Sequence, residues 1–309
     1  MNSGPHQTVL LEEAVHALIG NKNGTYVDCT YGRGGHSQAI ADHLGEAGRL
    51  LVIDRDEAAI ADAIARFEGD RRVLVQQGPF SQLRSYVREH QLGLLDGVLL
   101  DLGVSSPQLD EAERGFSFQQ DGPLDMRMDR TQGETAADWV MQASEKEIVE
   151  VLKTYGEERF ARRIARNILA ARAEGPIDTT FRLVRIVETS IPHREKHKHP
   201  ATRTFQAIRI RVNRELEELE TCLRDVIELL NSGGRLVVIS FHSLEDRIVK
   251  RFFRRMEQGE ELPSRLPVRD DQIRDRYIRV IGKPVRASEA ELGRNRRSRS
   301  SIMRIAEKL

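Results

Sequence analysis

Residues 28–36 (DCTYGRGGH) limit the possible folds of this chain more than any other segment. They follow a short apolar run at 25–27 and open a helical pattern, after which a second apolar run at 50–53 ends in Asp54. Strand, glycine turn, helix, strand and acid is the half-domain that binds nucleotide cofactors, with the acid accepting hydrogen bonds from ribose hydroxyls. The segment therefore predicts a cofactor-binding α/β fold.

The spacing of the glycines in this turn distinguishes between cofactors. Gly32, Gly34 and Gly35 give G-x-G-G, whereas a dinucleotide site has G-x-G-x-x-G with a helix N-terminus facing the pyrophosphate. A cofactor without phosphates, such as S-adenosylmethionine, does not need that arrangement. The turn therefore favours S-adenosylmethionine, and a nicotinamide-dependent oxidoreductase on the same sheet topology is the alternative.

The alternation of strands and helices continues and predicts a doubly wound, open α/β sheet. Further strands are predicted at 72–77, 97–101 and 235–241, and helices at 58–67, at 81–90 with Ser81 as its cap, and at 216–230 with a glycine cap at 232–234. The last segments, 277–281 and 301–305, are predicted to form an antiparallel pair at the sheet edge.

Residues 108–211 contain no convincing strand pattern, which predicts an inserted helical domain. Its helical signals are capping boxes at Thr135 and Ser144 and apolar stripes at 157–173 and from Thr180 to just before Pro192. The predicted organisation is a discontinuous sheet domain, 1–107 with 212–309, and the insertion at 108–211.

The predicted cofactor residues stand where strands end. Asp54, Phe80 and Asp101 follow three successive strands, and ligands of open α/β sheets bind at the carboxyl ends of strands. Phe80 could stack on an adenine, and Asp101 could accept a hydrogen bond from the adenine amine or from the amino group of the methyl donor. Each residue type is common at strand ends, but the conjunction with the glycine turn favours a site.

Two loops are candidates for the chemistry. The serines of the Ser105-Ser106-Pro107 loop offer acceptors to an exocyclic amine, which must be held in line with the methyl donor. A DNA amino-methyltransferase is a weaker alternative, because no aromatic residue follows the proline. His242, after the fifth strand, could orient a substrate or only cap the next helix, and the sequence leaves both hypotheses open.

The charge of the chain is unevenly distributed. Net charge is zero, but residues 1–150 carry 13 Lys+Arg against 25 Asp+Glu (−12), and residues 151–309 carry 35 against 23 (+12). The basic run at 193–200 contains three histidines, but its lysines and arginine would repel a cation, so no metal site is predicted. RNA phosphates are the better ligand, and the candidate RNA-binding residues are Lys198, His199, Arg203 and Arg209. Phe205 is predicted to lie in the core.

Composition excludes two other classes of protein. No apolar run approaches the roughly 20 residues that span a bilayer, and no secretion signal is found, so a cytoplasmic protein without membrane contact is expected. Cys29 and Cys222 lack metal-ligand spacing and are predicted to be buried core residues. A non-catalytic RNA-binding assembly protein remains an alternative to an enzyme.

In its longer motifs the chain closely resembles the bacterial 16S ribosomal RNA cytosine-N4 methyltransferases. The most specific stretches are GRGGH at 32–36, DLGVSSPQL at 101–109, RGFSFQQDGPLDMRM at 114–128, KHPATRTF at 198–205 and SFHSLEDRIVKR at 240–251. Cys29 departs from the small residue that is common in the family's glycine turn.

This resemblance implies an S-adenosylmethionine-dependent methyltransferase fold with an inserted helical substrate-recognition domain. It also implies that the small ribosomal subunit is the partner, that N4 of a cytosine in its decoding centre is methylated, and that the protein is a homodimer. The cofactor contacts that carry over by resemblance are Gly34, Gly35, His36, Asp54, Phe80, Asp101 and Gln108.

Overall fold

The structure is a computed structural model that describes residues 8–192, 199–259 and 276–309. The chain divides into two compact units. The sheet unit comprises Met1–Gly103 and Leu216–Leu309, and the helical unit comprises Val104–Glu215.

The sheet unit contains a seven-stranded mixed sheet with the order β3-β2-β1-β4-β5-β7-β6. Its strands are β1 (Thr25–Asp28), β2 (Arg49–Asp54), β3 (Val73–Gln77), β4 (Leu95–Asp101), β5 (Leu230–Ser240), β6 (Ile278–Val280) and β7 (Ile302–Lys308). The first five strands are parallel, and β7 pairs antiparallel with both β5 and β6. The predicted doubly wound sheet with an antiparallel edge is thus confirmed.

The parallel strands are apolar because both faces of the sheet are covered. Along β4, Val98 and Leu100 belong to one apolar cluster and Leu99 belongs to the cluster on the other face. Such burial on two sides explains the continuous apolar run that made this strand recognisable. The helices of this unit are α1 (Leu11–Leu18), α2 (Gly35–His43), α3 (Glu57–Arg66), α4 (Leu83–Glu89), α11 (Glu215–Leu229), α12 (Ser243–Gln258) and α13 (Glu289–Arg294). The first residue of α11, Glu215, is assigned to the helical unit, and the rest of that helix belongs to the sheet unit.

The helical unit follows β4 in the chain and has its own apolar core. Its helices are α5 (Ser106–Asp110), α6 (Ala136–Gln142), α7 (Glu145–Thr154), α8 (Ala161–Glu174), α9 (Thr180–Ser190) and α10 (Thr202–Asn213). Trp139 is buried in this core, and its indole Nε1 donates to Glu147 at 3.0 Å. Thr135 caps α6 in a reciprocal capping box, as predicted. Ser144 caps α7 by accepting from the Glu147 amide, which confirms the predicted cap, and the Glu147 side chain accepts from Trp139.

Several predicted boundaries are wrong, each for a local reason. Helix α8 begins at Ala161 rather than at 157, because Glu157 has φ +49°, which an α-helix cannot contain. Ser81 is not a helix cap, since it lies inside a 3₁₀ turn, Phe80–Gln82. Gly233 and Gly234 do not end α11, because the helix stops at Leu229 and both glycines lie within the range of β5.

The three residues that were predicted to lie in the core are buried. Cys29 and Cys222 are buried in the sheet unit and Phe205 is buried in the core of the helical unit, as predicted. Among the described residues, no helix combines the length and the apolarity that a membrane crossing requires.

Candidate active site

The sheet brings the predicted cofactor residues to one edge. β1 and β4 are neighbours in the sheet. β2 and β3 follow on the side of β1, and β5 follows on the side of β4, so the strand order reverses between β1 and β4. This is the topological switch point of the sheet. Asp54 ends β2, Phe80 follows β3 and Asp101 ends β4, all at carboxyl ends. Open α/β sheets bind their ligands at this position.

The glycine turn after β1 is shaped by the protein's own side chains. Gly34 has φ +72°, and a Cβ there would lie 2.5–2.6 Å from the phenol of Tyr31. A Cβ on Gly35 would collide with the side chain of Thr8. The absence of side chains at these positions is therefore required by Tyr31 and Thr8. Whether the glycines also contact a cofactor stays a prediction.

Asp54 is tied to the same turn through its carboxylate. Oδ2 accepts from the Gly32 amide at 2.8 Å, and Oδ1 accepts from the Asp56 amide at 2.9 Å. Burial raises the pKa of Asp54 to about 6, although both amide hydrogen bonds oppose the shift. Each oxygen has a second lone pair, so the carboxylate can still accept from a ligand.

His36 and Asp101 link the turn after β1 to the end of β4. His36 Nδ1 lies 3.5 Å from Asp101 Oδ2, and His36 is buried. Burial lowers the pKa of His36, but the hydrogen bond and charge of Asp101, together with the charge of Asp28, outweigh it and leave a net increase. Asp101 is further fixed by its backbone amide, which donates to Thr30 Oγ1 at 2.6 Å.

Some residues that shape this edge escaped the sequence analysis. Glu218, on α11, accepts from the Ser81 amide at 3.3 Å and pairs with Arg55 at 3.5 Å, which ties the turns after β2 and β3 together. Tyr31 donates to Asp62 and accepts from Arg66 Nε at 2.9 Å. Phe80, which was predicted, is partly buried and packs against the apolar core. The long sequence separation of Glu218 from Ser81 left no local signal.

The predicted residues of the Ser105 loop belong to the helical unit. Gln108 is buried, and its Oε1 accepts from the Ser105 amide at 2.9 Å at the start of α5. Ser106 is buried as well. Gln108 thus has a structural role in capping α5, and its predicted cofactor contact stays a prediction, as do the roles of both serines.

The four predicted RNA-binding residues have different environments. His199 stacks on Phe118 with ring centroids 4.5 Å apart, and its Nε2 lies 3.7 Å from Glu188 Oε1. Arg203 is partly exposed on α10, and Lys198 lies outside the described residues. Arg209 forms a bidentate pair with Glu215, with both N–O distances at 2.7 Å, and only 15% of its side chain is exposed. We therefore leave Arg209 out of the candidate RNA-binding residues, because its charge is already satisfied.

His242 is the N-terminal cap of α12. Its Nδ1 accepts from the Glu245 amide at 3.4 Å, and Glu245 Oε2 accepts from the Phe241 and His242 amides at 2.8 and 3.2 Å. This reciprocal capping box gives His242 a structural role. The second hypothesis, that His242 also orients a substrate, stays a prediction.

Comparisons with known proteins identify the family. The model of the MraW methylase family matches residues 3–309. The ribosomal RNA small subunit methyltransferase H of Thioalkalivibrio sulfidiphilus is 56% identical over 305 residues, which cover 98% of this chain and 97% of that protein. The chain belongs to the MraW methylase family. It is a methyltransferase, and S-adenosylmethionine is its methyl donor.

Similarity to solved structures is weak by comparison with this family match. An rRNA methylase from Streptococcus thermophilus is 10% identical with a TM-score of 0.42, and the match covers 96% of this chain and 93% of that one. Fibrillarin from Aeropyrum pernix, with bound S-adenosyl-L-methionine, is 10% identical with a TM-score of 0.40, covering 96% and 73%. At these values neither likeness bears on what this MraW methylase family member does.

The residues at the sheet edge fit the methyl donor of this MraW methylase family member. Asp101 Oδ1 is buried and has no hydrogen-bond partner among the described residues, whereas buried polar atoms are normally paired. An N–H group of the ligand would satisfy it, and Asp54 would accept from the ribose hydroxyls. When bound, S-adenosylmethionine supplies a methyl group on a sulfonium. No phosphate-binding groups are needed, in agreement with the G-x-G-G turn.

We expect cofactor binding to weaken in acid, because Asp54 must be ionised to accept two ribose hydroxyls. With a pKa of about 6, affinity should be about tenfold lower at pH 5 than at pH 7.5. The contribution of Asp54 to the free energy of folding depends on pH in the opposite direction to its contribution to cofactor affinity. Since the folded pKa lies above the unfolded value, Asp54 favours the folded state below about pH 4, and that stability is lost as pH rises through 6.

Isothermal titration of S-adenosylmethionine from pH 5 to pH 8 checks this expectation. Asp54→Asn is the control, because the amide does not titrate in this range and should give a flatter profile. A wild-type profile as flat as that of the variant would exclude Asp54 from the cofactor contacts.

Proposed function

We propose that this methyltransferase transfers a methyl group from S-adenosylmethionine to N4 of a cytosine in the decoding centre of 16S ribosomal RNA. The observation that carries the proposal is the 56% identity, over almost the full length of both chains, to a ribosomal RNA small subunit methyltransferase H. The residues at the sheet edge support the choice of cofactor, and family membership argues against the nicotinamide-dependent alternative.

The proposed cofactor residues act by position and charge. Asp54 holds the ribose, and Asp101 accepts from an amine of the cofactor through its unpaired Oδ1. His36 is a positioning residue, since it acts on the cofactor through Asp101. Phe80 packs beside the adenine. Gly34, Gly35 and Gln108 complete the proposed set of contacts.

On the acceptor side, the exocyclic amine of cytosine is a poor nucleophile because its lone pair is delocalised into the ring. Acceptors near the amine favour the pyramidal form, on which positive charge develops as the N–C bond forms and the C–S bond breaks. We propose Ser105 and Ser106 for this role. The N4 proton then leaves to a nearby acceptor or to water, and S-adenosylhomocysteine is the second product.

We propose that the helical unit is the substrate-recognition domain and that it contacts the RNA. His199 and Arg203 are the described residues that we retain for this role, and Lys198 is retained from the sequence. Because the proposed substrate is a ribosomal subunit, we expect the enzyme to act in the cytoplasm. The dimer implied by the resemblance stays a prediction.

The proposal is tested by incubating the purified protein with labelled S-adenosylmethionine and small subunits from cells that lack it. Nuclease fragments of the 16S ribosomal RNA are then mapped by mass. One methyl group on N4 of a decoding-centre cytosine is expected, and subunits from cells that contain the protein should accept none. Transfer to another base or position would refute the assignment of the target. No transfer at all would favour the non-catalytic assembly protein.

Variants of His242 separate its capping role from a role in the reaction. His242→Ala should lower the free energy of unfolding by about 1 kcal/mol, because the Glu245 amide loses its acceptor. His242→Ser restores a neutral cap beside the buried carboxylate of Glu245 and should restore stability. If kcat recovers with stability, His242 is only a cap; if stability recovers but kcat does not, His242 also acts on the substrate. Urea unfolding and methyl-transfer kinetics on both variants provide the measurements.

A further inference from the structure

The outer side of α8 carries a row of arginines. Arg162, Arg163 and Arg166 are exposed at helical spacing, and Arg159 is exposed just before the helix begins. Residues three and four apart lie on one side of a helix, so these guanidinium groups form a continuous row, called here the arginine ridge. The opposite side of α8 is apolar and buried, with Ile164, Ala165 and Ile168 in the core.

The arginine ridge does not serve the fold through ion pairs. Within the described parts of the chain, no carboxylate forms an ion pair with Arg159, Arg162 or Arg166. Other arginines of the same unit have structural partners. Arg172, for example, donates to three carbonyls at the end of α6 and just beyond it, and Arg211 pairs with Glu134 at 3.2 Å. Adjacent like charges on a helix repel one another, so this row of arginines does not stabilise α8 through its charges.

The arginine ridge lies beside an aromatic pair. Arg163 Nη2 donates to the carbonyl of Thr189 at 3.2 Å, which fixes the ridge against the end of α9. Glu188 directly precedes Thr189, and its Oε1 lies 3.7 Å from Nε2 of His199. The ring of His199 in turn stacks on Phe118. The His199 side chain is 38% exposed. A guanidinium row next to a partly exposed ring stack is the combination that binds single-stranded nucleic acid, with phosphates on the cations and bases on the rings.

We propose that the arginine ridge of α8, with the Phe118–His199 stack beside it, binds a single-stranded segment of the RNA substrate. Arg159, Arg162 and Arg166 hold successive phosphates, and the ring stack receives a base. This inference rests on the proposed function, because it assumes that the substrate is RNA.

The direct test uses fluorescein-labelled 16S ribosomal RNA transcribed in vitro and fluorescence anisotropy between 50 and 300 mM KCl. Arg162→Gln combined with Arg166→Gln should weaken binding roughly tenfold near 0.15 M salt. The slope of log K against log[KCl] should become shallower by about 1.4, or about 0.7 for each lost phosphate contact. The matched control, Arg162→Lys with Arg166→Lys, keeps both charges and should keep the slope.

Two further variants test the location. Arg84→Gln removes a partly exposed arginine that is paired with Asp225 and Glu228, and it should leave RNA affinity unchanged. Lys250→Gln with Arg251→Gln removes two exposed cations of α12 in the sheet unit. A loss of affinity with the α12 variant but not with the α8 variant would overturn the assignment to the arginine ridge, as would an unchanged slope in the α8 variant.

Failure of this inference can be distinguished from failure of the proposed function. If the wild-type protein methylates small subunits while the α8 variant shows wild-type RNA affinity, only the ridge is wrong. If the wild-type protein transfers no methyl group to RNA, the proposed function itself fails. S-adenosylmethionine affinity should be the same in all four variants, since the substituted residues lie outside the proposed cofactor contacts.

Discussion

Replacing Asp54 with alanine is expected to weaken S-adenosylmethionine binding by about 1–3 kcal/mol, because the ribose hydroxyls lose their charged acceptor. This corresponds to a dissociation constant raised roughly 5- to 150-fold at 25 °C. Isothermal titration provides the measurement. The variant should also lose some stability, since Asp54 accepts from the amides of Gly32 and Asp56.

Asp96→Ala is the matched control for this substitution. Asp96 Oδ2 accepts from the Thr25 amide at 2.8 Å. Asp96 lies near the start of β4, at the amino ends of the parallel strands, whereas Asp54 lies at their carboxyl ends. Its removal should lower stability and leave cofactor affinity unchanged. Equal affinity for wild type and Asp54→Ala would exclude Asp54 from the site. Equal losses in the two variants would mean that the Asp54 effect is general destabilisation.

The second large effect is expected for Gly34→Ala. The new side chain meets a backbone at φ +72° and a Cβ position 2.5–2.6 Å from the Tyr31 ring, which is held by Asp62 and Arg66. Positive φ costs roughly 1–2 kcal/mol and overpacking typically about 1–3 kcal/mol, so the free energy of unfolding should fall by about 2–5 kcal/mol. Cofactor affinity should fall as well, because the turn must shift.

Gly93→Ala separates the two contributions. Gly93 has φ +71°, nearly the value at Gly34, but a Cβ there would have no atom within 4 Å. This variant should show only the backbone cost, about 1–2 kcal/mol, and normal cofactor binding. Urea unfolding of both variants checks the difference. If both lose equal stability and both bind the cofactor normally, the packing of Tyr31 on the turn has no consequence for the site.

Local signals in the sequence were sufficient to predict the strands and helix caps, and the positions of Asp54 and Asp101 at the ends of strands. β4 was recognisable because its residues are buried on both faces and therefore uniformly apolar. The Thr135 capping box lies within four residues of sequence and depends on little else. Asp54 and Asp101 followed from their positions at the ends of such strands. The G-x-G-G spacing of the turn after β1, rather than composition, indicated a cofactor without phosphates.

Contacts between distant residues could not be predicted in the same way. Helix α1 was missed, and its start depends on Leu10, whose amide donates to Glu291 at 3.0 Å across most of the chain. Arg209 was expected to bind RNA, but the positive φ of Arg214 ends α10 and leads directly to Glu215, the partner of Arg209. An arginine that is paired with a carboxylate in the fold and one that is not look alike in sequence.

A crystal structure of the protein with S-adenosylmethionine is the most direct test of the site at the sheet edge. The ribose hydroxyls should lie within hydrogen-bond distance of the Asp54 carboxylate, and an amine of the ligand should lie against Asp101 Oδ1. Ligand density elsewhere on the molecule, with both carboxylates facing only water, would contradict the account.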